Sequence, residues 1–419
     1  MFGLYLHIPF CEKKCSYCDF YSLESTEHID AFVNSLIKEI DLRSPVTPSE
    51  AQGEEAKGRS GDGEVVMPSE AQGEEAKRRS GDGEIVMPSG AEAHTSVFFG
   101  GGTPSLLSPD AMSRIITRLR ERYTIAPDAE WTMECNPGTV TPERLAAYRN
   151  AGINRLSFGV QSFTASELTF LDRIHDADEA VAAMAMAREA GFDNVNMDLM
   201  FAVPGQTMET LSYNLSRMLQ LAPDHISAYS LIYEHGTPLF ARLKKGLITP
   251  TSEDIDAAMY ALVISTLTDA GYIQYEVSNF ARPGKQCRHN LTYWHAENYI
   301  ALGPSAHGFI DTTRYWNHRS LSAWTTKVNA GELPEANRES LSNDELCSEY
   351  LFLTLRADGT PVAEFEQRFG VDLRSALMPD LGHWMDAGFI IDNGTTLRLT
   401  GEGYRVCDEI TVKVMQLVG

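Results

Sequence analysis

Six strand-like segments, each followed by a helical pattern, occupy most of the first 245 residues of the chain. The strand-like segments are rich in apolar residues and span 4–8, 96–99, 130–133, 155–160, 194–200 and 225–231. The first helical pattern has apolar residues three and four positions apart from Ile29 to Ile40, and later ones begin at Ser108-Pro109 and Thr141-Pro142. Because consecutive strand–helix units join parallel strands, we predict an α/β fold whose sheet is doubly wound or curled into a partial barrel.

The pattern changes near residue 340. Short helices follow, and strand-like segments at 389–391 and 396–399 flank Asn393-Gly394, a hairpin turn signal. This predicts a small α+β domain of winged-helix-like form, which we expect to serve packing or docking because the tail has no basic run for DNA. The predicted division is a core over 1–310, a connecting segment over 311–340 and a C-terminal helical and hairpin domain over 341–419.

A tandem repeat interrupts the core. The sequence at 48–67 returns at 68–87 and differs only at Gly58/Arg78 and Val65/Ile85. Its composition of Gly, Glu, Ser, Pro and Lys/Arg offers almost no apolar face for one repeat to pack on the next. We predict a disordered, duplicated insertion over 48–90, placed between the first helix and the second strand, where a surface loop can absorb it.

Charge and hydropathy narrow the classes of partner. The formal net charge is −23, of which the two repeats contribute only −5, so nucleic-acid binding is disfavoured. No stretch approaches the roughly 20 apolar residues of a bilayer-spanning helix. The start MFGLYLHIPF has neither a basic region nor a cleavage site, so we expect a cytoplasmic protein that is not an integral membrane protein.

Three of the seven cysteines lie within eight residues, directly after the first strand. Cys11, Cys15 and Cys18 form a C-x3-C-x2-C pattern. A structural zinc site needs four ligands, and no second Cys/His pair follows at finger spacing. Three thiolates would leave one iron of a [4Fe-4S] cluster without a protein ligand, and an open iron can bind a small molecule. The alternative is a zinc knuckle or buried thiols.

This cysteine pattern, with Tyr17 before the third cysteine, resembles that of radical S-adenosylmethionine (SAM) proteins. The resemblance implies a partial (β/α)6 barrel, a [4Fe-4S] cluster held by the three cysteines, and SAM chelated to the open iron. In this superfamily the reduced cluster cleaves SAM to a 5′-deoxyadenosyl radical. Outside 48–90, the resemblance extends over nearly the whole chain.

Polar residues and glycines follow the other strands, at the end where barrel sites gather. Glycines at 100–102 would let the backbone approach a ligand with free N–H groups. By resemblance, Gly101, Gly102 and Thr103 would hold the amino group of SAM. Further residues contact SAM in the coproporphyrinogen-oxidase-like branch of the superfamily. The matching positions of this sequence are Tyr5, Tyr17, Glu134, Gln161, Arg173 and Asp198.

Residues 282–319 differ from the rest in composition. They carry net charge +3, four of the eleven histidines, and Trp294 and Trp316. Aromatic faces, cations for propionates and an imidazole for iron would suit haem, although an ordinary domain junction also explains this composition. The sequence His289-Asn-Leu-Thr-Tyr-Trp294 resembles the H-N-x-x-Y-W pattern of HemW-like haem chaperones, which implies that His289 binds the haem iron. The alternative for His289 is that it only forms hydrogen bonds in the pocket. For His307 two roles are open: it lines the same cavity or it caps a turn.

Three functions remain open. The resemblance favours a haem chaperone that passes haem to acceptor proteins, including respiratory, membrane-associated ones. The second is oxygen-independent coproporphyrinogen III oxidative decarboxylation, but Phe20 stands where such oxidases have a further cysteine. The third is a radical SAM methyltransferase, which would have no affinity for haem.

Overall fold

Parallel pairing of neighbouring strands builds the first half of the chain. In the computed structural model, which describes residues 2–44, 93–378 and 380–418, six strands pair in parallel in sequence order. Their bounds are β1 (Gly3–Ile8), β2 (His94–Gly101), β3 (Ile125–Cys135), β4 (Arg155–Gln161), β5 (Val195–Phe201) and β6 (His225–Ser230). The predicted α/β fold with a parallel sheet is confirmed. The duplicated insertion predicted over 48–90 lies outside the described residues.

Helices connect these strands and cover one face of the sheet. They are α1 (Ile29–Arg43), α2 (Pro109–Arg122), α3 (Pro142–Ala151), α4 (Ala165–Phe170), α5 (Ala177–Glu189), α6 (Met208–Leu221), α7 (Pro238–Lys244) and α8 (Glu253–Asp269). The predicted starts of α2 and α3 are confirmed, since the side chains of Ser108 and Thr141 accept hydrogen bonds from the N–H groups of Ala111 and Arg144.

The sheet continues at both edges with strands that the sequence did not predict. These elements are β7 (Ile273–Gln274), β8 (Asn279–Ala281), α9 (Arg288–Trp294), β9 (Tyr299–Leu302), β10 (His307–Ile310), β11 (Thr313–Asn317), α10 (Leu321–Asn329) and β12 (Glu335–Ser340). The strand order is β12-β11-β10-β9-β1-β2-β3-β4-β5-β6-β8-β7, with β9 parallel to β1. Residues 311–340, expected as a connecting segment, therefore form strands β11 and β12 of the main sheet and the helix α10 between them.

The C-terminal part has its own small sheet and core. Its elements are α11 (Asn343–Leu355), β13 (Thr360–Pro361), α12 (Val362–Phe369), α13 (Leu373–Ala376), α14 (Asp380–Asp386), β14 (Ile390–Asp392), β15 (Thr396–Leu399), α15 (Gly401–Tyr404) and α16 (Cys407–Val418). Strands β14 and β15 form the predicted antiparallel hairpin, with Gly394 at a φ of 90° in the turn. The apolar residues of the C-terminal part form a cluster of their own, separate from the core beneath the large sheet.

Tyr260 of α8 packs against both apolar clusters. Its hydroxyl donates a hydrogen bond to the carbonyl of Val277 at 2.5 Å, and the Val277 N–H donates to the carbonyl of Arg356 at 2.9 Å. These contacts join the two parts, and the boundaries 310/311 and 340/341 remain predictions. Among the described residues, no helix is both long and apolar enough to cross a membrane.

Candidate functional site

The two faces of strands β1 to β6 differ in polarity. The outer face packs into the main apolar core. On the opposite face, which we call the inner face, the strand registers align polar side chains: Glu134 pairs with Ser157, Ser157 with Asn196, and Asn196 with His225. Because side chains alternate along a strand, one sheet can present an apolar face to helices and a polar face to a ligand.

A hydrogen-bonded network fills the inner face near the amino ends of the strands. Arg155 and Glu130, both buried, form an ion pair of 4.0 Å. The Glu130 carboxylate also accepts hydrogen bonds from the His289 N–H and the Cys287 thiol, each at 3.4 Å. Helix α9 thus closes this end of the inner face.

The three predicted cluster cysteines lie at the carboxyl end of β1. Their loop is closed at its base, where the Cys11 N–H donates to the carbonyl of Leu23 at 2.9 Å, and within it the Cys18 N–H donates to the carbonyl of Cys15 at 3.2 Å. Cys15 is buried, whereas Cys11 and Cys18 are partly exposed. Burial raises the pKa of the Cys11 thiol, and it raises the pKa of the Cys18 thiol to about 11. Metal binding must therefore displace their protons.

The donor set suits a cluster better than one ion. Across residues 2–44, 93–378 and 380–418, no group of three or more His, Cys, Asp or Glu side chains is arranged to hold a single metal ion. A structural zinc requires four donors that converge on one point. The three thiolates of a four-iron cluster bind three different irons, so their sulfurs need not converge. Three thiols on one strand-end loop therefore fit the predicted [4Fe-4S] cluster.

Two predicted SAM residues contact the cluster cysteines directly. The Thr103 hydroxyl lies 3.7 Å from the Cys11 sulfur, as a donor to it. The Arg173 guanidinium donates to the Cys15 sulfur at 3.4 Å and to the carbonyl of Gly159 at 2.6 Å. Its Nε is buried without a partner. Arg173 thus holds a fixed cation beside the cysteine loop and keeps one donor for a further group, such as a carboxylate.

The glycine segment after β2 packs tightly on the end of β1. Gly101 has a φ of 104°, and a Cβ there would lie 2.5 Å from the His7 ring. The N–H groups of Gly101, Gly102 and Thr103 donate to the Glu134 carboxylate, the Ile8 carbonyl and the Phe10 carbonyl, respectively. The expectation of free N–H groups is therefore wrong. The carbonyl oxygens of this segment are the groups suited to accept from an ammonium.

Two carboxyl groups on the inner face have raised pKa values. Burial, reinforced by the nearby charge of Asp198, raises the pKa of Glu134 to about 8. Burial raises the pKa of Asp198 to about 6, against a hydrogen bond of 2.7 Å from Asn196. A cationic ligand would stabilise both carboxylates, because an opposite charge lowers a carboxyl pKa. The arrangement suits a ligand with ammonium and sulfonium groups.

Gln161 and Tyr17 lie toward the same end of the sheet, and Tyr5 lies between that end and His289, on which its ring also stacks at 6.2 Å. Gln161, at the end of β4, is buried with a φ of 68°, a left-handed conformation that costs free energy for a residue other than glycine. Tyr5 stacks on Phe98 with 6.3 Å between ring centres. Tyr17 packs against a small apolar cluster that includes Leu239. The left-handed backbone of Gln161 is a type of strain that is common at binding sites.

His289, the predicted haem ligand, is buried at the other end of the inner face. Its Nδ1 is 2.9 Å from the Ser96 hydroxyl and its Nε2 is 2.8 Å from the Tyr293 hydroxyl. The ring stacks on Phe98 at 5.1 Å. Burial lowers the pKa of His289 to about 3. Both nitrogens are occupied, so iron binding at His289 would require a hydrogen bond to break and α9 to move.

Cations of the basic segment 282–319 are engaged in separate ion pairs. Arg288 pairs with Asp128 at 3.1 Å, and Lys285 lies 3.8 Å from Asp193, on the side of the strands' amino ends. Cys287 is buried against Glu130. His307 instead lies exposed at the start of β10. Arg288 and Lys285 are therefore engaged in ion pairs at the amino ends of the strands, and haem binding by this segment remains a prediction.

Sequence reasoning missed His7. This buried side chain connects the cysteine loop to the glycine segment, because its Nε2 is 2.8 Å from the Tyr21 carbonyl and its ring fills the space beside Gly101. Its Nδ1 is 3.2 Å from the Tyr5 hydroxyl. The signal was present, since Tyr5 and His7 alternate with Leu4, Leu6 and Ile8 along β1.

Comparison with known proteins agrees with this geometry. Residues 85–215 match the radical SAM superfamily and residues 341–406 match the HemN C-terminal domain. The chain is 34% identical over 414 residues to the haem chaperone HemW of Mycobacterium tuberculosis, covering 98% of this chain and 93% of that protein. It is 33% identical over 409 residues to the haem chaperone HemW of Escherichia coli, covering 96% and 94%. The chain belongs to the HemW family of radical SAM proteins.

A solved structure agrees on the fold. Coproporphyrinogen III oxidase (HemN) from Escherichia coli, described as a radical SAM enzyme, superposes with a TM-score of 0.75 at 23% identity, covering 99% of this chain and 89% of that one. The predicted partial radical SAM barrel with a small C-terminal α+β domain is thereby confirmed. Like other members of the radical SAM superfamily, this HemW-family chain is expected to use a [4Fe-4S] cluster and SAM.

Proposed function

We propose that this protein binds haem and transfers it to acceptor proteins. The observation that carries the proposal is near-full-length identity of 34% and 33% to two curated haem chaperones. Near-full-length coverage matters because it includes both the sheet and the C-terminal part. The acceptors are proposed to include respiratory, membrane-associated proteins that receive haem from the cytoplasmic side.

The cluster and SAM are assigned to the carboxyl ends of the strands. Cys11, Cys15 and Cys18 would hold the [4Fe-4S] cluster, whose chemistry when bound is the reductive cleavage of SAM. Arg173 fixes a positive charge beside Cys15. Gly101, Gly102, Thr103, Tyr5, Tyr17, Gln161, Glu134 and Asp198 are assigned to SAM as well. The carboxyls of Glu134 and Asp198 suit the ammonium or ribose hydroxyls of SAM, and Thr103 contacts the cysteine loop.

Phe20 separates this proposal from porphyrinogen decarboxylation. By resemblance, oxidases of that kind have a further cysteine two residues after the third cluster ligand. Here the position is Phe20, whose side chain is 63% exposed beside the cysteine loop. A phenylalanine cannot bind iron or transfer a proton, whereas an exposed ring can pack on a flat apolar ligand.

The test uses protein reconstituted with iron and sulfide under anaerobic conditions. One portion is titrated with haem and followed by absorbance, and another is assayed with SAM, reductant and coproporphyrinogen III for vinyl-group formation. Stoichiometric haem binding with no vinyl product supports the proposal. Turnover of coproporphyrinogen, or failure to bind haem, would overturn it.

Transfer requires a separate measurement. Haem-loaded protein is mixed with a haem-free acceptor and separated from it by size, and the haem on each protein is measured. We expect haem to move to the acceptor faster than it dissociates into an excess of a haem-scavenging globin. Equal rates would show that the protein only stores haem.

A further inference from the structure

The histidine that binds haem iron must be accessible, and the structure restricts the candidates. All eleven histidines lie within the described residues. Five are buried, namely His7, His94, His175, His225 and His289. Four are exposed, namely His28, His235, His307 and His383, and the remaining two, His295 and His318, are partly buried.

Only two of the exposed histidines, among the described residues, lie against an aromatic ring. His235 is tilted on Phe240 with 4.4 Å between ring centres. His307 stacks on Trp316 at 5.9 Å with an angle of 19° between the ring planes. An aromatic ring stacked on an imidazole fixes the plane of that imidazole and leaves its nitrogen-bearing edge to bind iron.

The register fixes the face on which His307 lies. His307 pairs with Trp316, and Gly308 pairs with Tyr315. A Cβ at Gly308 would lie 2.2 Å from the Tyr315 ring, which occupies the outer face under Arg43. Because neighbouring residues of a strand point to opposite faces, His307 and Trp316 lie on the inner face.

His307 is adjacent to the predicted SAM site. Gly303, four residues before His307, packs on β1, because a Cβ at Gly303 would lie 2.5 Å from the His7 carbonyl oxygen, and the His7 ring is packed against Gly101. Partial burial, together with Arg314, lowers the pKa of His307. The imidazole is therefore neutral near pH 7, as iron binding requires. The turn that leads to His307 is thus in contact with β1 beside His7 and Gly101, at the cluster end of the barrel.

The turn before His307 is held rigidly from below. Ser305 has a φ of 64° and Gly303 a φ of 96°. The Gly303 N–H donates to the buried Glu39 carboxylate at 2.7 Å, and the Asn317 amide donates to the Gly303 carbonyl at 2.8 Å. A strained turn persists only where its surroundings fix it, and strain of this kind is common at ligand sites.

We propose that His307 is the ligand of the haem iron and that Trp316 orients its imidazole, on the inner face of β10 and β11. This inference rests on the proposed haem binding. It assigns haem to a surface next to the SAM site, where the two ligands would be neighbours. His289 is then a positioning residue that holds α9 against β2.

The test compares His307→Gly with the matched control His235→Gly, which alters the other exposed histidine on an aromatic ring. Full-length protein is titrated with haem, and ligation is read from the Soret band and the electron paramagnetic resonance spectrum. We expect His307→Gly to lose the histidine-ligated spectrum and to bind haem at least tenfold more weakly. Added imidazole should restore that spectrum, because it can occupy the vacated position. His235→Gly should behave as the wild type.

A third variant separates the two histidine assignments. His289→Gln should keep the histidine-ligated spectrum, provided that circular dichroism shows it to be folded. If His307→Gly keeps that spectrum, or if His235→Gly loses it, the assignment to His307 is wrong while haem binding by the wild type still supports the proposed function. If the wild type binds no haem, the proposed function itself fails.

Discussion

Strand β4 presents two different environments within seven residues. Leu156, Phe158 and Val160 are completely buried in the apolar core on the outer face. Arg155 and Gln161 lie among charged and polar groups on the inner face, the first in an ion pair and the second in a left-handed conformation. The outer face stabilises the fold by burying apolar side chains. The inner face contains buried charges that cost free energy, and ligand binding would explain why they are kept.

The largest effect should follow from a change on the outer face. Phe158→Ala removes a fully buried ring and should lower the free energy of unfolding by about 3–5 kcal/mol. Urea unfolding of the apoprotein, followed by circular dichroism, measures this. Phe158→Leu is the control and should cost less, because it leaves a smaller cavity. Equal losses for the two variants would show that the site collapses around either side chain.

The inner-face ion pair gives the next largest effect. Arg155→Met leaves Glu130 buried without its cation and should cost about 3 kcal/mol. The double variant Glu130→Gln/Arg155→Met should recover part of this loss, because glutamine keeps an acceptor for the His289 N–H without a charge. The four unfolding free energies of this double-mutant cycle give the coupling. A coupling near zero would show that the two charges act independently.

Titration of Glu134 should make stability depend on pH. Its pKa is raised from 4.5 to about 8 in the folded protein, so the folded state keeps a proton that the unfolded state releases. Stability of the ligand-free protein should therefore fall as pH rises from 4.5 to about 8 and then level off.

Glu134→Gln removes this contribution and should flatten the slope by at most about 1.4 kcal/mol per pH unit. Unfolding by urea between about pH 5 and about pH 8 tests this. Glu143→Gln is the matched control, because Glu143 is exposed with a lowered pKa and is ionised throughout this range. A wild-type slope in Glu134→Gln would assign the titration to another group.

The smallest change in stability should come from the cysteine loop. Cys15→Ser in the apoprotein should alter the free energy of unfolding by about 1 kcal/mol or less. Iron and acid-labile sulfide should nevertheless be almost absent after reconstitution, because one of three cluster ligands is gone. Cys347→Ser, a half-buried cysteine on α11, should keep the full cluster content. Retention of iron by Cys15→Ser would remove Cys15 from the ligand set.

The parts of the fold that follow local patterns could be predicted from the sequence. Strands β1 to β6 and the hairpin around Gly394 have clear apolar runs and turn signals. Strands β9 to β12 are short, and β12 is mostly exposed, so burial leaves no pattern in its sequence Glu335–Ser340. Their position depends on the parallel pairing of β9 with β1, which is nearly 300 positions distant in sequence and has no local signal.

The candidate site shows the same limit. The cysteine spacing and the resemblance predict Cys11, Cys15 and Cys18 as cluster ligands without knowledge of the fold. The orientation of a histidine is not encoded locally: His289 lies in a conspicuous motif yet is buried with both nitrogens engaged, whereas His307 lies in an inconspicuous turn and is exposed. The burial of Glu39 has no local signal either, because nothing in the sequence of the amphipathic helix α1 shows that this residue is completely buried.

The central position of β1 has a consequence for biosynthesis. One edge of this strand pairs with β2, but the other pairs with residues 299–302, so that second edge lacks its partner until most of the chain has left the ribosome. At about 5–20 residues per second, translation of that distance takes roughly 15–60 s. During this interval β1 and the cysteine loop at its carboxyl end form part of an incomplete sheet, so the proposed cluster site is completed only late in synthesis.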